Sequence, residues 1–175
     1  MTRHSHPTTP LLRLMVALIS TLLILGPVAI ATDRTKAATS SNTQLEVDTL
    51  VDDGGAAYQA CTATVGDCSL RGAITLANSD PTNSHHITLP AGIYQLTKTP
   101  DETPDDNADG DLDILGTVEI HGSGAAGTII QAGTNQEDGI DRLFDIVDAT
   151  GDLTVKDLTL RYGRASGNGG AIRNA

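Results

Sequence analysis

Hydrophobic and polar positions alternate in short runs along most of the chain, which predicts β-strands. Residues 44–51 alternate as one strand, and residues 87–97 predict two short strands around a Pro-Ala-Gly turn. The inward candidates of that pair are Ile87, Leu89, Ile93 and Leu96. From residue 112 onward aliphatic clusters recur between Gly, Asp and Asn, with weak self-similarity at roughly 20–25 residues. These clusters are Leu112/Ile114, Val118/Ile120, Ile129/Ile130, Leu143/Phe144/Ile146, Leu153/Val155 and Leu158/Leu160. The pattern favours a stacked β-solenoid over the alternative, a sandwich of short antiparallel strands.

One segment has a helical period instead. An apolar stripe at i, i+3, i+4 and i+7 predicts a short amphipathic helix with Ser69 as its N-cap and Asn78 at its end. The stripe consists of Leu70, Ala73, Ile74 and Ala77. Gly72 falls at the third helical position, where a Glu would complete a capping box with Ser69. We therefore predict that Gly72→Glu stabilises the fold by about 1 kcal/mol.

The first residues have the order of a secretory signal. A basic segment precedes the uncharged stretch Leu14–Leu25, and small residues follow at Ala29 and Ala31. This predicts a signal peptide at 1–31, and an uncleaved membrane anchor is the alternative. The remainder is expected to be secreted or at the cell surface, with no membrane span after cleavage.

Composition and charge narrow the classes of partner. The 175 residues include no Trp and one Phe, and the formal net charge is −11. A core must be built from small aliphatic residues, which suits thin β-architecture. The negative charge argues against nucleic acid and anionic membrane surfaces as partners, because both require a basic patch. An acidic chain of this kind is consistent with an extracellular protein that binds a cation.

Cys61 and Cys68 are the two cysteines of the chain. In an exported protein this close spacing predicts a structural disulfide. Two thiolates cannot complete a zinc site, and the spacing is not that of a C-x-x-C redox motif. A disulfide that closes so short a loop is worth about 2–3 kcal/mol in the chain-entropy model.

The segment "CSLRGAITLAN" (68–78) resembles the Cys-Ser-Leu-Arg-Glu-Ala segment of the CSLREA domain, found near the start of exported bacterial β-helix proteins. Gly72 stands where the family has Glu. The matching residues are Cys61, Asp67, Cys68, Ser69, Leu70, Arg71, Ala73, Ile74 and Asn78. The resemblance implies a pectate-lyase-like, right-handed parallel β-helix. "GNGGAIRN" (167–174) further resembles the Gly-Gly-Ala-Ile turn of polymorphic outer membrane adhesins.

Pattern and resemblance together predict an all-β fold, a right-handed parallel β-helix with an N-terminal capping strand and a short disulfide-stapled helix over its first coil. The expected organisation is a signal peptide at 1–31, a linker at 32–43, a cap with the CSLREA-like segment at 44–100, and the first coils at 101–175. The last of these coils would have no neighbour, so we expect a C-terminally truncated solenoid that continues in a longer gene.

The acidic segment "DDNADGDLD" (105–113) carries the best candidate chemistry. Its oxygen-bearing side chains fall at positions 1, 3, 5, 7 and 9 of a calcium loop with Gly110 at the turn. The candidate ligands are Asp105, Asn107, Asp109, Asp111 and Asp113. Position 12 is Gly116 where a bidentate Glu would be expected. Calcium binding and a solvated acidic turn both remain open at this point.

No catalytic constellation stands out in the sequence. The histidines His85, His86 and His121 are expected to be exposed and separate, and no G-x-S-x-G elbow is present. We therefore predict an exported structural or adhesive module that binds carbohydrate or a cell-surface protein. The alternative is a polysaccharide lyase or glycoside hydrolase, since such enzymes use the implied fold and fold does not determine function.

Overall fold

The computed structural model describes residues 41–100 and 107–175. The predicted signal peptide (1–31) and most of the predicted linker (32–43) lie outside these residues. The described residues form ten strands, one α-helix and one 3-10 helix at Ala56–Tyr58. The helix α1 spans Leu70–Asn78. The strands are β1 (Asn42–Glu46), β2 (Ser84–Leu89), β3 (Gly92–Gln95), β4 (Leu112–Ile114), β5 (Thr117–Gly122), β6 (Thr128–Gln131), β7 (Phe144–Ile146), β8 (Asp152–Lys156), β9 (Thr159–Arg161) and β10 (Ile172–Asn174).

The strands form three small parallel sheets. Sheet A has the order β1-β2-β5-β8, sheet B has β3-β6-β9, and sheet C has β4-β7-β10. Each strand from β2 to β7 pairs with the strand three places later in the chain. The paired residues are 28 apart for Phe144 and Ile172 and 42 apart for Asn42 and Ser84. The predicted period of roughly 20–25 residues, read from the recurrence of apolar clusters, is therefore too short.

The prediction of an all-β, right-handed parallel β-helix is wrong. Within 41–100 and 107–175, strands of three to six residues form three separate parallel sheets, and no closed solenoid or right-handed β-helix is evident. An α-helix also supplies part of the core, with Leu70, Ala73 and Ile74 buried. Recurring aliphatic clusters predict short strands, but they do not determine how separate sheets join.

The inner face of sheet A shows why alternation predicted most of its core correctly. One inward row, held in register along the sheet, consists of Leu45, Ile87, Ile120 and Val155. Leu96, a predicted inward residue, is buried as expected. Ile93, the other predicted inward residue of this segment, is 47% exposed, and its neighbour Tyr94 is buried instead. Because Tyr94 pairs with the buried Ile130, the Tyr94 side of β3 faces inward.

The predicted helix is confirmed, and it packs against β2 and β4. The Ser69 hydroxyl caps it by accepting a hydrogen bond of 2.8 Å from the backbone N–H of Gly72. A Cβ atom on Gly72 would lie 1.9 Å from the carbonyl oxygen of Tyr58. The expectation that Gly72→Glu stabilises the fold is therefore wrong, because the close approach of another backbone segment requires glycine.

Within residues 41–100 and 107–175, the helices lack the length and the hydrophobicity that a membrane span requires.

Candidate functional site

The disulfide between Cys61 and Cys68 is confirmed. It closes a loop immediately before α1. Asp48 accepts hydrogen bonds from the backbone N–H groups of Gly66 (2.7 Å) and Cys68 (3.0 Å). Within the loop, the Asp67 carboxylate accepts from the backbone N–H of Thr62 at 3.1 Å. The disulfide and these carboxylates together fix the start of the helix.

The backbone carbonyls of the predicted calcium loop contact a positively charged side chain of the protein, the guanidinium of Arg71. Arg71, on the first turn of α1, is 1% exposed. Its guanidinium donates hydrogen bonds to four backbone carbonyl oxygens of the loop. Nη1 donates to Asn107 (3.4 Å), Asp109 (3.2 Å) and Asp111 (2.9 Å). Nη2 donates to Gly110 at 2.8 Å. The loop carbonyls therefore satisfy the positive charge of a buried side chain.

Asp52 completes this site on the other side of the guanidinium. Its Oδ1 atom accepts from Arg71 Nε at 2.6 Å, and the two side chains are 4% and 0% exposed respectively. Its Oδ2 atom accepts from the backbone N–H groups of Thr97 (2.6 Å) and Lys98 (3.1 Å). We name Arg71, Asp52 and the loop 107–111 the arginine clamp. The clamp joins the helix, the segment before it, the segment after β3 and the acidic loop.

Asn107 turns the loop toward the helix. Its φ of 62° lies in the left-handed region, which Asn tolerates better than most residues. Its side-chain amide donates to the Arg71 carbonyl (3.0 Å) and to Thr75 Oγ1 (2.7 Å). Its backbone N–H donates to Asp113 Oδ2 at 2.8 Å. Asn107 therefore faces α1, and its side chain does not join a ring of carboxylates.

A cluster of three carboxylates lies behind this loop. One oxygen of each of Asp111, Asp113 and Asp145 lies within 4.8 Å of the others, and all three residues are buried. Asp113 and Asp145 are partners in the β4–β7 register. The guanidinium of Arg142 contacts Asp111 (3.0 Å) and Asp145 (3.1 Å), and Arg173 also pairs with Asp145. Two arginines therefore compensate part of the negative charge.

The pKa of Asp111 is raised to about 6. Burial is the main cause, and the negative charge of Asp141 adds to it, whereas Arg142 acts in the opposite direction. The surroundings of Asp111 thus oppose its charged form. A carboxyl of this kind is also what general acid chemistry requires.

The five predicted calcium ligands do not converge as the sequence spacing suggested. Asp105 lies outside the described residues. Asn107 faces α1, and the carbonyl of Asp109 accepts from Arg71. Asp111 and Asp113 do meet, with Asp145 as a third member that sequence reasoning missed. The solvated-turn interpretation does not describe the loop either, because Asn107, Asp111 and Asp113 are buried. Calcium binding stays a prediction.

The histidines depart from the sequence expectation. His85 faces the core, and it is 5% exposed. His86 and His121 lie on the outer face of sheet A with their ring centroids 6.0 Å apart. They were expected to be unrelated, and the in-register pairing of β2 and β5 brings them together.

The sequence did contain a signal for the arginine clamp. Arg71 is the single Lys or Arg residue between Lys36 and Lys98, in a stretch rich in Asp. A lone cation of this kind, next to the apolar stripe of a helix, is expected to pair with carboxylates when it is buried. No comparable local signal points to Arg142 or Arg173. Comparisons of the chain with family models, curated proteins and solved structures found no match, so the CSLREA resemblance stays a prediction.

Proposed function

We propose that this chain is a structural module of an exported protein and that the outer face of sheet A binds an extracellular carbohydrate. The disulfide supports export, because such bonds persist in oxidising compartments and are rare in the cytosol.

The observation that carries the carbohydrate proposal is the polar outer face of sheet A. Two rows of polar side chains run across its four strands in register. One row consists of Gln44, His86, Glu119 and Thr154, and the other of Glu46, Thr88, His121 and Lys156. Neighbouring members of a row are spaced by the strand separation of about 4.8 Å. The face therefore presents donors and acceptors at regular intervals, which suits a ligand rich in hydroxyl groups.

The framework under this face supports a binding role. The opposite side of the same strands is packed, with Ile87, Val118 and Ile120 at most 1% exposed. Polar groups on packed strands are held in position before a ligand arrives, so less conformational entropy is lost on binding. A rigid array of this kind is typical of a binding surface.

A glycan array tests the carbohydrate proposal. The full chain is applied to immobilised neutral and acidic glycans, beside the variants Gln44→Ala and Thr154→Ala. Both residues are exposed, so their substitution is expected to leave the fold intact. We expect retention of at least one glycan class, and at least a threefold loss in both variants. Thr64→Ala, in the disulfide loop, is the matched control. Absence of retention, or equal retention by all variants, would contradict the proposal.

Export is tested separately by mass. Protein recovered from outside the producing cell is expected to gain two hydrogens on reduction, from Cys61 and Cys68. Recovery of the chain from the cytoplasm with both thiols free would contradict the export proposal.

An enzyme acting on carbohydrate is the second candidate, and Asp111 is the observation that favours it. Its raised pKa of about 6, beside Asp145 and Arg142, would let it act as a general acid near neutral pH. Release of reducing sugar from polysaccharides by the full chain, and its loss in Asp111→Asn, would favour this candidate over a binding module.

A further inference from the structure

His86 and His121 form a pair of imidazoles on the outer face of sheet A. They lie on the neighbouring strands β2 and β5, as diagonal neighbours, because the register places Glu119 opposite His86 and Thr88 opposite His121. Their ring centroids are 6.0 Å apart, and the ring planes are nearly perpendicular, at 86°. Two imidazoles thus approach one another in an arrangement that both strands hold in place.

The hydrogen bonding of His86 is incomplete. Its Nδ1 atom is buried and has no hydrogen-bond partner among residues 41–100 and 107–175. Its Nε2 atom lies 3.6 Å from Glu119 Oε1, which is longer than a hydrogen bond. Buried polar atoms in folded proteins are nearly always paired, so a side chain with this arrangement calls for a further partner.

His121 is better fixed. Its Nε2 atom lies 2.8 Å from Asp157 Oδ2. A carboxylate that holds one ring nitrogen leaves the other nitrogen, Nδ1, to face a different partner. Metal-binding histidines commonly have this second contact, because it orients the ring and makes the ligating nitrogen more basic.

We propose that His86, His121 and Glu119 bind a divalent transition-metal ion, with zinc as the representative. Imidazole and carboxylate are ligands that zinc accepts, at distances of about 2.0–2.1 Å. Two imidazoles on one tetrahedral ion then have centroids about 5 Å apart, against the observed 6.0 Å. In the described residues the donor atoms of the three side chains do not all lie within 4.8 Å of one another, so the side chains must rotate toward the ion, and water would complete the coordination.

The ammonium of Lys156 competes with the metal ion for the Glu119 carboxylate. Its Nζ atom lies 2.8 Å from Glu119 Oε1, and its side chain is 51% exposed. The ion must displace this ammonium to use the carboxylate. Because the lysine is exposed, it can move into solvent at little cost. Removal of its charge is therefore expected to strengthen metal binding, which distinguishes this site from a pair of histidines acting alone.

The test is calorimetric titration of the full chain with zinc chloride. In the parent protein used for this titration, His4 and His6 are replaced by alanine, so that those histidines do not bind the ion. We expect one zinc per chain, affinity at least tenfold weaker in His121→Ala and in His86→Ala, and affinity at least threefold tighter in Lys156→Met. Thr88→Ala, a non-ligating neighbour on the same face, is the control and is expected to match the parent.

The histidine variants decide the proposal. His121 is 43% exposed, so His121→Ala is expected to fold, and circular dichroism verifies this. If His86→Ala does not fold, His121→Ala alone provides the decision. Absence of zinc binding in the parent, or parent-like affinity in His121→Ala, would overturn the metal site. The site does not rest on the proposed glycan binding, whose test uses other residues.

Discussion

Strands β4 and β7 and the last strand of each sheet share one aliphatic pattern but differ in burial. Every residue of β4 and β7 is buried. In β8, β9 and β10 no residue is fully buried, and Ile172 is 38% exposed. Each last strand has a paired neighbour on one side. Comparison of the two regions therefore distinguishes the burial that follows from a strand's own sequence pattern from the burial that neighbouring elements provide.

The difference teaches that alternation determines which face of a strand is apolar, but not how completely that face leaves water. Strand β4 pairs with β7 and packs against α1, so side chains such as Leu112 reach zero exposure. Leu160 has the same chemistry in β9, and it remains partly exposed. The hydrophobic free energy follows the area removed from water, so identical residues contribute unequally.

Charged groups show the same contrast. Arg71 and Asp52 are paired with almost no exposure. Lys156 and Glu119 are paired at 2.8 Å with exposures of 51% and 35%. Loss of one partner from a buried pair leaves an unsatisfied charge, whereas solvent replaces the partner of an exposed pair. The arginine clamp is therefore expected to matter far more to stability than the surface pair.

The largest expected effect is that of Arg71→Met. The substitution leaves Asp52 and the loop carbonyls buried without their donor, so the free energy of unfolding should fall by about 3–5 kcal/mol. Urea denaturation followed by circular dichroism measures the loss. Arg164→Met is the matched control, because Arg164 donates to the Glu137 carbonyl at an exposed position and its loss should cost less than about 0.5 kcal/mol. Equal losses in the two variants would contradict the clamp.

Two leucines test the comparison of regions directly. Leu112→Ala removes a side chain with zero exposure, and we expect a loss of about 2–5 kcal/mol. Leu160→Ala, in a last strand, is expected to cost about 1 kcal/mol, because its side chain is already partly hydrated. The same denaturation experiment compares them. A loss in Leu160→Ala as large as that in Leu112→Ala would show that the last strands are as well packed as the first.

Gly72→Glu is expected to destabilise the fold by about 1–3 kcal/mol, since the added Cβ would require the backbone at Tyr58 to move. Thermal unfolding of the variant and the parent measures the difference. Gly167→Ala, between β9 and β10, is the control, because an added Cβ there would lie within 4 Å of no other described atom. That change is expected to be neutral or slightly stabilising. An increase in stability for Gly72→Glu would restore the original capping-box prediction.

The smallest expected effect is a pH dependence from Asp111. Its folded pKa of about 6 exceeds its ordinary value of 3.8, so the folded state holds the proton more tightly than the unfolded state. Its contribution to stability is therefore complete below about pH 4 and is lost as the pH rises through about 6. Asp111→Asn should remove this loss of stability. Relative to the parent, the variant should become more stable by on the order of 1 kcal/mol as the pH rises from about 4 to about 6.

Asp148 supplies the matched control for this titration. It lies at an exposed position, and a hydrogen bond from Thr150 lowers its pKa. The difference between the parent and Asp148→Asn should therefore have the opposite sign, with stability of the parent lost as the pH falls. Unfolding midpoints measured from about pH 2 to about pH 7 compare the three proteins, because the effect of Asp148 develops below its ordinary pKa of 3.8 and that of Asp111 above it. The same slope in both variants would show that burial does not control the charge of Asp111.

Much of the local structure could be predicted from the sequence, because its signals lie within a few residues. The helix begins and ends where Ser69 and Asn78 indicated, and the clusters from Leu112 onward lie on or beside strands. Predictions that required knowledge of distant neighbours were wrong. The placement of Ile93 and the effect of Gly72→Glu both failed because pairing with β6 and contact with Tyr58 override the local pattern.

The candidate sites show the same division. The sequence indicated an acidic loop and contained the lone Arg71, whose guanidinium the loop carbonyls contact, whereas the predicted calcium binding stays a prediction. It did not indicate that Asp145 would join Asp111 and Asp113, or that His121 would reach His86. Those meetings depend on the registers between β4 and β7 and between β2 and β5. A shift of one residue in either register would direct the side chains to opposite faces.

The sequence by itself determined the alternation of the strands, the capped helix and the disulfide between Cys61 and Cys68. Each of these depends on residues that are close together in the chain. Tertiary structure alone decided that three sheets form, which strands are fully covered, and which charged side chains meet. The reason is that partners 28 to 42 residues apart come together through strand pairing. Register is selected by packing of the whole core, and no local pattern specifies it.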